Sequence, residues 1–325
     1  MNKKIKILLL FLLAAIIAVV VYDYTSTFPG KRPDSPFKYD IEESEKVDGS
    51  LISYFEVKRI NLDNDDIHGF TYNNGKIYLI VDSFLQVVNT NGQELAKVAL
   101  EQPAHSVSTV NGNNILVAFK DYLVLYNSKG EEIQRSDFIF ENSDLTSVTV
   151  SKENIFVADA GSKQVLVFDS KLKKTGSFKG ESGVSDHHGF ILPSGYFSLT
   201  VNNEDELWVV NPGIHTIQHY AANGRLRRYW GKPSFGLDGF SGCCNPYFIA
   251  FLSDGSFVTS EKGLIRVKIH KPSGEFSSVV AAPAKFPGGS KAPAIAVDQY
   301  DNILLLDFDK KSIRFFEPKP DSINE

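Results

Sequence analysis

One short pattern recurs six times along this chain of 325 residues: an apolar run that usually ends in an acidic or amide residue. The copies are Ile77–Asp82, Ile115–Phe119, Ile155–Asp159, Leu207–Asn211, Phe257–Glu261 and Ile303–Asp307, and their starts lie 38, 40, 52, 50 and 46 residues apart. Each follows another β-rich run, such as Ser147–Val150 or Ala294–Asp298, and precedes a third, such as Gln164–Asp169 or Ile313–Phe316. Turn pairs then lead toward a fourth run: Asn91-Gly92, Lys129-Gly130, Asn223-Gly224 and Ser273-Gly274. Glycine at such a site permits the left-handed backbone of a tight hairpin.

Repeats of this length, each offering up to four antiparallel strands, predict an all-β, six-bladed β-propeller over residues 51–320. One four-stranded sheet cannot bury both faces alone, whereas six around an axis bury each against its neighbours. The last copy has room for only three strands before Pro318. The run Tyr54–Ile60 precedes the first full copy and is a strand without a blade. It is expected to supply the missing outer strand, close the ring and leave no open sheet edge.

The N-terminus reads differently. Lys3, Lys4 and Lys6 precede an apolar run from Ile7 to Tyr22. That run makes roughly 24 Å of helix, against a hydrocarbon core of roughly 30 Å. Its end, Val19-Val20-Val21-Tyr22-Asp23, has no small-x-small cleavage site, which favours an uncleaved anchor over a signal peptide. Either reading exports the body, with the lysines left inside and the rest periplasmic or extracellular. Residues 23–50, broken by Pro29, Gly30, Pro33 and Pro36 and then acidic, read as a linker. The net charge of −5 gives no basic balance to attract nucleic acid. The one basic cluster in the body, Arg225, Arg227 and Arg228, fits a solvated outer strand.

Two stretches carry a family resemblance: Ser147–Asp169, with Val157-Ala158-Asp159-Ala160-Gly161, and Leu199–Gly231, with Leu207-Trp208-Val209-Val210-Asn211-Pro212-Gly213. They resemble the NHL-repeat propellers, over roughly residues 51–318. Ser241-Gly242-Cys243-Cys244-Asn245-Pro246 and Thr259–Gly263 look like an exported bacterial subgroup of that family. The first two copies depart from it, lacking the Gly that follows the acidic residue in the third. The resemblance implies the six-bladed fold and leaves function open. A lyase of that family holds zinc with histidines from separate blades, and His68 and His105 resemble that placement. The third copy offers Leu145-Thr146-Ser147 there, with no ligand of comparable strength.

In a propeller the inner strands start, and the second strands end, on one face. Two loops on that face are enlarged, Glu181–Pro193 and Pro233–Pro246, and long loops on a rigid scaffold are where function concentrates. The expected binding rim comprises His68, His105, His187, His188, Cys243, Cys244, Asn245, Glu261 and Lys262. His68, His105 and His188 are candidate ligands for a divalent metal such as zinc, iron or calcium. Ordinary packing competes for the histidines, and turn capping for Asp82, Asp159, Asn211, Glu261 and Asp307. His215, His219 and His270 fall in strands or turns and read as structural. Cys243 and Cys244 are adjacent, with Cα atoms about 3.8 Å apart, below the usual disulfide range of about 4.4 to 6.8 Å. They read either as a strained, reducible vicinal disulfide or as two reduced thiols.

Three functions are compatible with this pattern. The first is a binding or scaffold module for a protein, peptide or glycan at the cell surface. The second is a metal-dependent lyase or hydrolase at the channel mouth. The third is a redox partner using the cysteines. No nucleophile elbow, phosphate loop, dinucleotide fingerprint or HExxH helix is present. For topology, protease added to intact cells should digest the body while cytosolic markers stay whole. A soluble form beginning near residues 22–28 would instead reveal a cleaved signal.

Overall fold

The computed structural model describes residues 3–26, 46–62, 66–180 and 189–320. They fall into two compact units, residues 1–43 and 44–325. The first unit contains one helix, α1 (Lys3–Ser26), whose 20 residues Lys3–Tyr22 have a mean hydropathy of 2.9 and are long and apolar enough to cross a membrane. No acidic side chain lies in its first 20 positions, and its lysines sit at the N-terminal end.

The second unit is the predicted six-bladed ring. A first strand, β1 (Tyr54–Asn61), stands apart from the blade that follows it. Blade one is β2 (Ile67–Asn73), β3 (Lys76–Val81), β4 (Phe84–Asn89) and β5 (Glu94–Ala99); blade two is β6 (Ser106–Val110), β7 (Asn114–Ala118), β8 (Leu123–Tyr126) and β9 (Glu132–Arg135). Blade three is β10 (Leu145–Val150), β11 (Ile155–Asp159), β12 (Gln164–Phe168) and β13 (Lys174–Phe178). Blade four is β14 (Leu199–Val201), β15 (Leu207–Asn211), β16 (Thr216–Tyr220) and β17 (Leu226–Trp230). Blade five is β18 (Phe248–Phe251), β19 (Phe257–Ser260), β20 (Val267–His270) and β21 (Phe276–Ala281). Blade six is β22 (Ala294–Val297), β23 (Ile303–Asp307) and β24 (Ser312–Pro318), with β1 as its outer strand.

The unbroken apolar runs are explained by burial on both faces of each second strand. Ile77, Leu79 and Val81 of β3 pack with Ala294, Leu304, Leu306 and Ile313 of blade six. The alternate residues Tyr78 and Ile80 pack the other way, with Val107, Ile115, Val117 and Val124 of blade two. The fourth strands are half-exposed, and Arg225, Arg227 and Arg228 lie on or beside β17 as a solvated edge requires. The predicted glycine turns also serve packing between blades. Gly130 (φ 81°) presses so closely on Val98 of the preceding blade that a Cβ would lie 2.3 Å from it. Gly92, Gly224 and Gly274 meet Ile60, Phe178 and Trp230 in the same way.

Closure follows the expected route. β1 pairs antiparallel with β24, from Tyr54↔Pro318 to Asn61↔Ser312, with one bulge between Glu56 and Lys58. Arg314, 1% exposed, fixes the join: it donates to Glu56 Oε2 (2.6 Å), to Lys285 O (3.0 Å) and to Asp307 Oδ2 (3.3 Å). Its guanidinium also lies 4.7 Å from the centre of the Phe286 ring. On the outer side Lys58 reaches Thr90 O (2.6 Å) and Asn91 Oδ1 (2.8 Å) in the turn of blade one. Removing one member of a buried ion pair leaves its partners uncompensated and costs about 3 to 5 kcal/mol. Arg314→Ala should therefore lower the unfolding free energy by about 3 kcal/mol or more. The exposed pair Arg135–Glu132 should contribute less than about 1 kcal/mol. Urea unfolding checks both, and the Arg314 variant should lose the whole ring in one transition rather than fray at β1.

Candidate functional site

The inner strands line a central channel of about 140 Å³. Its polar side chains come from one side. Blades one to four contribute His68, His105, Ser106, Ser108, Ser147, Thr149, Ser198 and Thr200 alongside the apolar Phe70, Val107, Val148 and Leu199, while blades five and six contribute only Phe248, Ile249, Ala294, Ile295 and Phe308. Tyr196, from the segment entering β14, stands at the join. In a ring of six, blade two, which His105 precedes, stands across the axis from blade five, which carries Phe248.

Both described histidines of this mouth are held by a carboxylate. His68 Nε2 lies 3.2 Å from Asp66, and His105 Nδ1 lies 3.0 Å from Asp144 Oδ1. The two rings are 6.5 Å apart, centre to centre. Asp144 is itself placed from below. The buried Asp159, at the end of β11, accepts from Asp144 N (2.9 Å) and Ser143 Oγ (3.1 Å). Among the described residues neither imidazole has a second hydrogen bond. Asp66 and Asp144 are absent from the sequence-based rim. Both lie in segments entering inner strands, beside His68 and His105, but no motif marks them there.

The third copy offers hydroxyls where a third histidine would stand, and these are used internally. Thr146 Oγ1 donates to Phe197 O (2.7 Å) and accepts from Phe197 N (3.1 Å). Ser147 Oγ bridges to Leu199 in the same manner, at 3.3 and 3.4 Å. His187 and His188 lie outside the described residues. Among the described residues no group of three or more His, Cys, Asp or Glu is arranged to hold a metal ion.

The apolar side of the mouth is aromatic. Tyr196 and Tyr247 stack 4.7 Å apart at 10°, Tyr196 meets Phe248 edge-on at 5.0 Å, and Phe248 stacks toward Phe308 at 6.3 Å. Burial pushes both tyrosine hydroxyls upward, Tyr247 to about 12, so they stay protonated donors at neutral pH. Lys262 Nζ lies 5.1 Å from the centre of the Tyr247 ring.

Beside Tyr247 the loop of residues 233–246 is pinned by buried charges of blade five. Glu261, fully buried, lies beneath the rim rather than on its surface. Its carboxylate pairs with Arg266 (2.8 Å) and Lys268 (2.9 Å) and accepts from Ser241 N (3.0 Å). Burial alone would raise this carboxyl, but Lys268 and Arg266 hold it below its usual value. The two cations direct their other protons to the loop: Arg266 to Phe235 O and Gly236 O, Lys268 to Leu237 O and Gly239 O. Asn245 closes the loop by donating to Ser241 O (2.7 Å) and Lys262 O (3.0 Å), and by accepting from Lys262 N (2.9 Å). Cys243 is exposed and Cys244 buried; they are two thiols with sulfurs 3.1 Å apart.

Asp159, Asn211 and Glu261 thus act alike, since each ends a second strand and grips the loop entering the inner strand of its own blade. Asn211 does so through Ile191 N (2.9 Å) and Gly189 O (3.2 Å). Asp307 instead caps its own turn at Lys310 N (3.0 Å) and binds Arg314.

No family model matches this chain, and no curated protein does. Solved structures do. A protein of unknown function from Bacteroides thetaiotaomicron has a TM-score of 0.60 at 11% identity, covering 82% of this chain and 76% of its own. Virginiamycin B lyase from Staphylococcus aureus has a TM-score of 0.57 at 13% identity, covering 82% of this chain and all of its own. The WD40 propeller domain of Doa1 has a TM-score of 0.56 at 14% identity, covering 78% and 80%. At such identities the likeness establishes the propeller fold and nothing finer.

His270 is fully buried, stacked 5.1 Å from Phe257, tilted against Trp230 at 4.5 Å and 5.7 Å from Phe240 of the pinned loop. Burial, aided by the charge of Lys268, puts its pKa well below 6.5. The unfolded chain therefore binds a proton below about pH 6.5 that the folded chain refuses, and stability falls as pH drops through that value. His219, also depressed by burial, acts in the same direction. Each such proton costs about 1.4 kcal/mol per pH unit. Urea midpoints measured between pH 7 and 5 should fall for the native chain and fall less steeply for His270→Asn.

Proposed function

We propose that the chain is a ligand-binding propeller of the NHL-repeat kind, anchored by residues 3–22 and presenting its body outside the cytoplasm. Its channel mouth would take part of a protein, peptide or glycan. The observation that carries this reading is the uneven wall: hydroxyls and carboxylate-held imidazoles are confined to one side, and stacked aromatics stand on the other. Such a mouth suits a ligand with both hydrogen-bonding groups and a flat apolar face, which a sugar ring or a peptide side group supplies. The channel volume of about 140 Å³ suits an end group better than a whole chain, so a terminus is the proposed element. Blade five presents its pinned loop beside that opening as a rim.

One observation favours a second reading. The His68 and His105 rings, 6.5 Å apart, are close enough that ring rotation could bring a nitrogen from each toward one ion. With a third ligand such as His188, the mouth would then be a metal-assisted lyase or hydrolase site. Metal analysis of the full chain purified in detergent separates the readings. Stoichiometric zinc or iron, lost in His68→Ala and His105→Ala, supports the second; its absence leaves the first.

Screening the detergent-solubilised chain on glycan and peptide arrays should identify a binder. For that binder, Asp144→Asn and Phe248→Ala should each weaken affinity about tenfold or more, equivalent to about 1.4 kcal/mol, by calorimetry. Unchanged affinity in both variants would remove the channel mouth as the site.

A further inference from the structure

Neither reading above uses the cysteine pair, and the frame around it is unusually complete. Ser241 is tied to Glu261 on one side, and Asn245 to the backbone of Lys262 on the other. Four carbonyls of the preceding loop are held by Arg266 and Lys268. His215 Nδ1 adds a contact to Asn245 O at 2.9 Å. This scaffold brings the two sulfurs to 3.1 Å as thiols, without a covalent bond to hold them. Proximity enforced by a rigid frame raises the effective concentration of one thiol at the other.

We propose that Cys243 and Cys244 form a reversible dithiol–disulfide site that exchanges with low-molecular-weight disulfides and thiols. The two sulfurs are unequal, which assigns their roles. Cys243 is exposed and meets the incoming disulfide. Cys244 is 6% exposed, and burial together with a hydrogen bond to Cys243 raises its thiol, making it the poorer nucleophile in the first encounter. The Cys243 thiolate attacks one sulfur of R–S–S–R, forming a mixed disulfide and releasing the first R–S⁻, which takes up the proton lost by Cys243. Cys244, losing its own proton, then attacks the Cys243 sulfur. The internal disulfide forms and the second R–S⁻ leaves as thiol. Two electrons pass from the protein to the disulfide. In reverse, two R–SH molecules open the internal bond and leave as R–S–S–R. The ring between adjacent cysteines favours that reversal, because neighbouring Cα atoms at about 3.8 Å are closer than an unstrained disulfide allows.

The test uses the full chain in detergent, reduced, desalted and treated with oxidised glutathione. Samples are acid-quenched over time and mapped by fragment mass spectrometry. Expected is glutathione first on Cys243, then an internal disulfide with both halves of the glutathione released as thiol. Reduced glutathione should restore both cysteines in the folded protein. Cys244→Ser should trap glutathione on Cys243, and Cys243→Ser should stay unmodified until denaturant is added. Glutathione retained on Cys243 of the wild-type chain without closure would overturn the proposal. So would first attack at Cys244, or an internal disulfide that reduced glutathione opens only after unfolding. The wild-type time course alone decides between these outcomes if a serine variant fails to fold.

Discussion

The pairing of β1 with β24 is the constraint on which the body depends. Every other blade is made of four consecutive strands, but blade six takes its outer strand from a segment more than two hundred residues earlier. Without it, β24 would be a bare edge and the apolar faces of blades one and six would lose the geometry that joins them. Arg314 reinforces the join at the one place where β1 bulges. Its guanidinium is buried and shared among Glu56, Asp307 and Lys285, so the charge is compensated from both chain ends of the ring. A closed ring transmits any local opening around the whole circuit, which is why cooperative unfolding follows from topology rather than from any single contact.

Closure also decides what the mouth can be. A propeller axis gathers the starts of six inner strands, so residues far apart in sequence share one small space. Here that convergence places two histidines beside each other and a row of aromatics across from them. The loops then need anchoring, and the chain uses the ends of its second strands for this. Asp159 positions Asp144, which positions His105, so a buried structural residue reaches the mouth through one intermediate. In blade five the same position carries Glu261 with two cations, and the loop it holds is the one that carries the cysteines. Structural and functional roles are therefore linked in series: a residue that caps a turn also orients the group above it.

Much of this is legible in the chain alone. The six apolar runs predict the blades, because a strand buried on both faces has no polar alternation and shows as a continuous run. Tyr54–Ile60 is recognisable as the closing strand because it is surplus to the first blade and the last blade is short by one. The glycine turns fall where the sequence puts them. Their second purpose, close approach to the preceding blade, depends on the neighbouring blade and is not written locally. The acidic ends of the second strands read as turn caps or metal ligands. Asp159, Asn211 and Glu261 turn out to grip whole loops, which requires the blade to be folded before the partner comes within reach. Asp66 and Asp144 escape notice because a lone aspartate in a loop carries no pattern.

The sequence by itself determined the all-β class, the blade count, the strand that closes the ring and the apolar N-terminal segment. These are set by hydrophobic period and repeat length, which are properties of the chain read in order. Only the tertiary structure decided that His105 is held by Asp144, that Glu261 is buried against Arg266 and Lys268, and that the two cysteine sulfurs touch while differing in exposure. The first joins two blades, so only the packing of neighbouring sheets brings it about. The other two lie within one blade and one loop, and there the fold decides burial and which way each side chain faces rather than which residues are near.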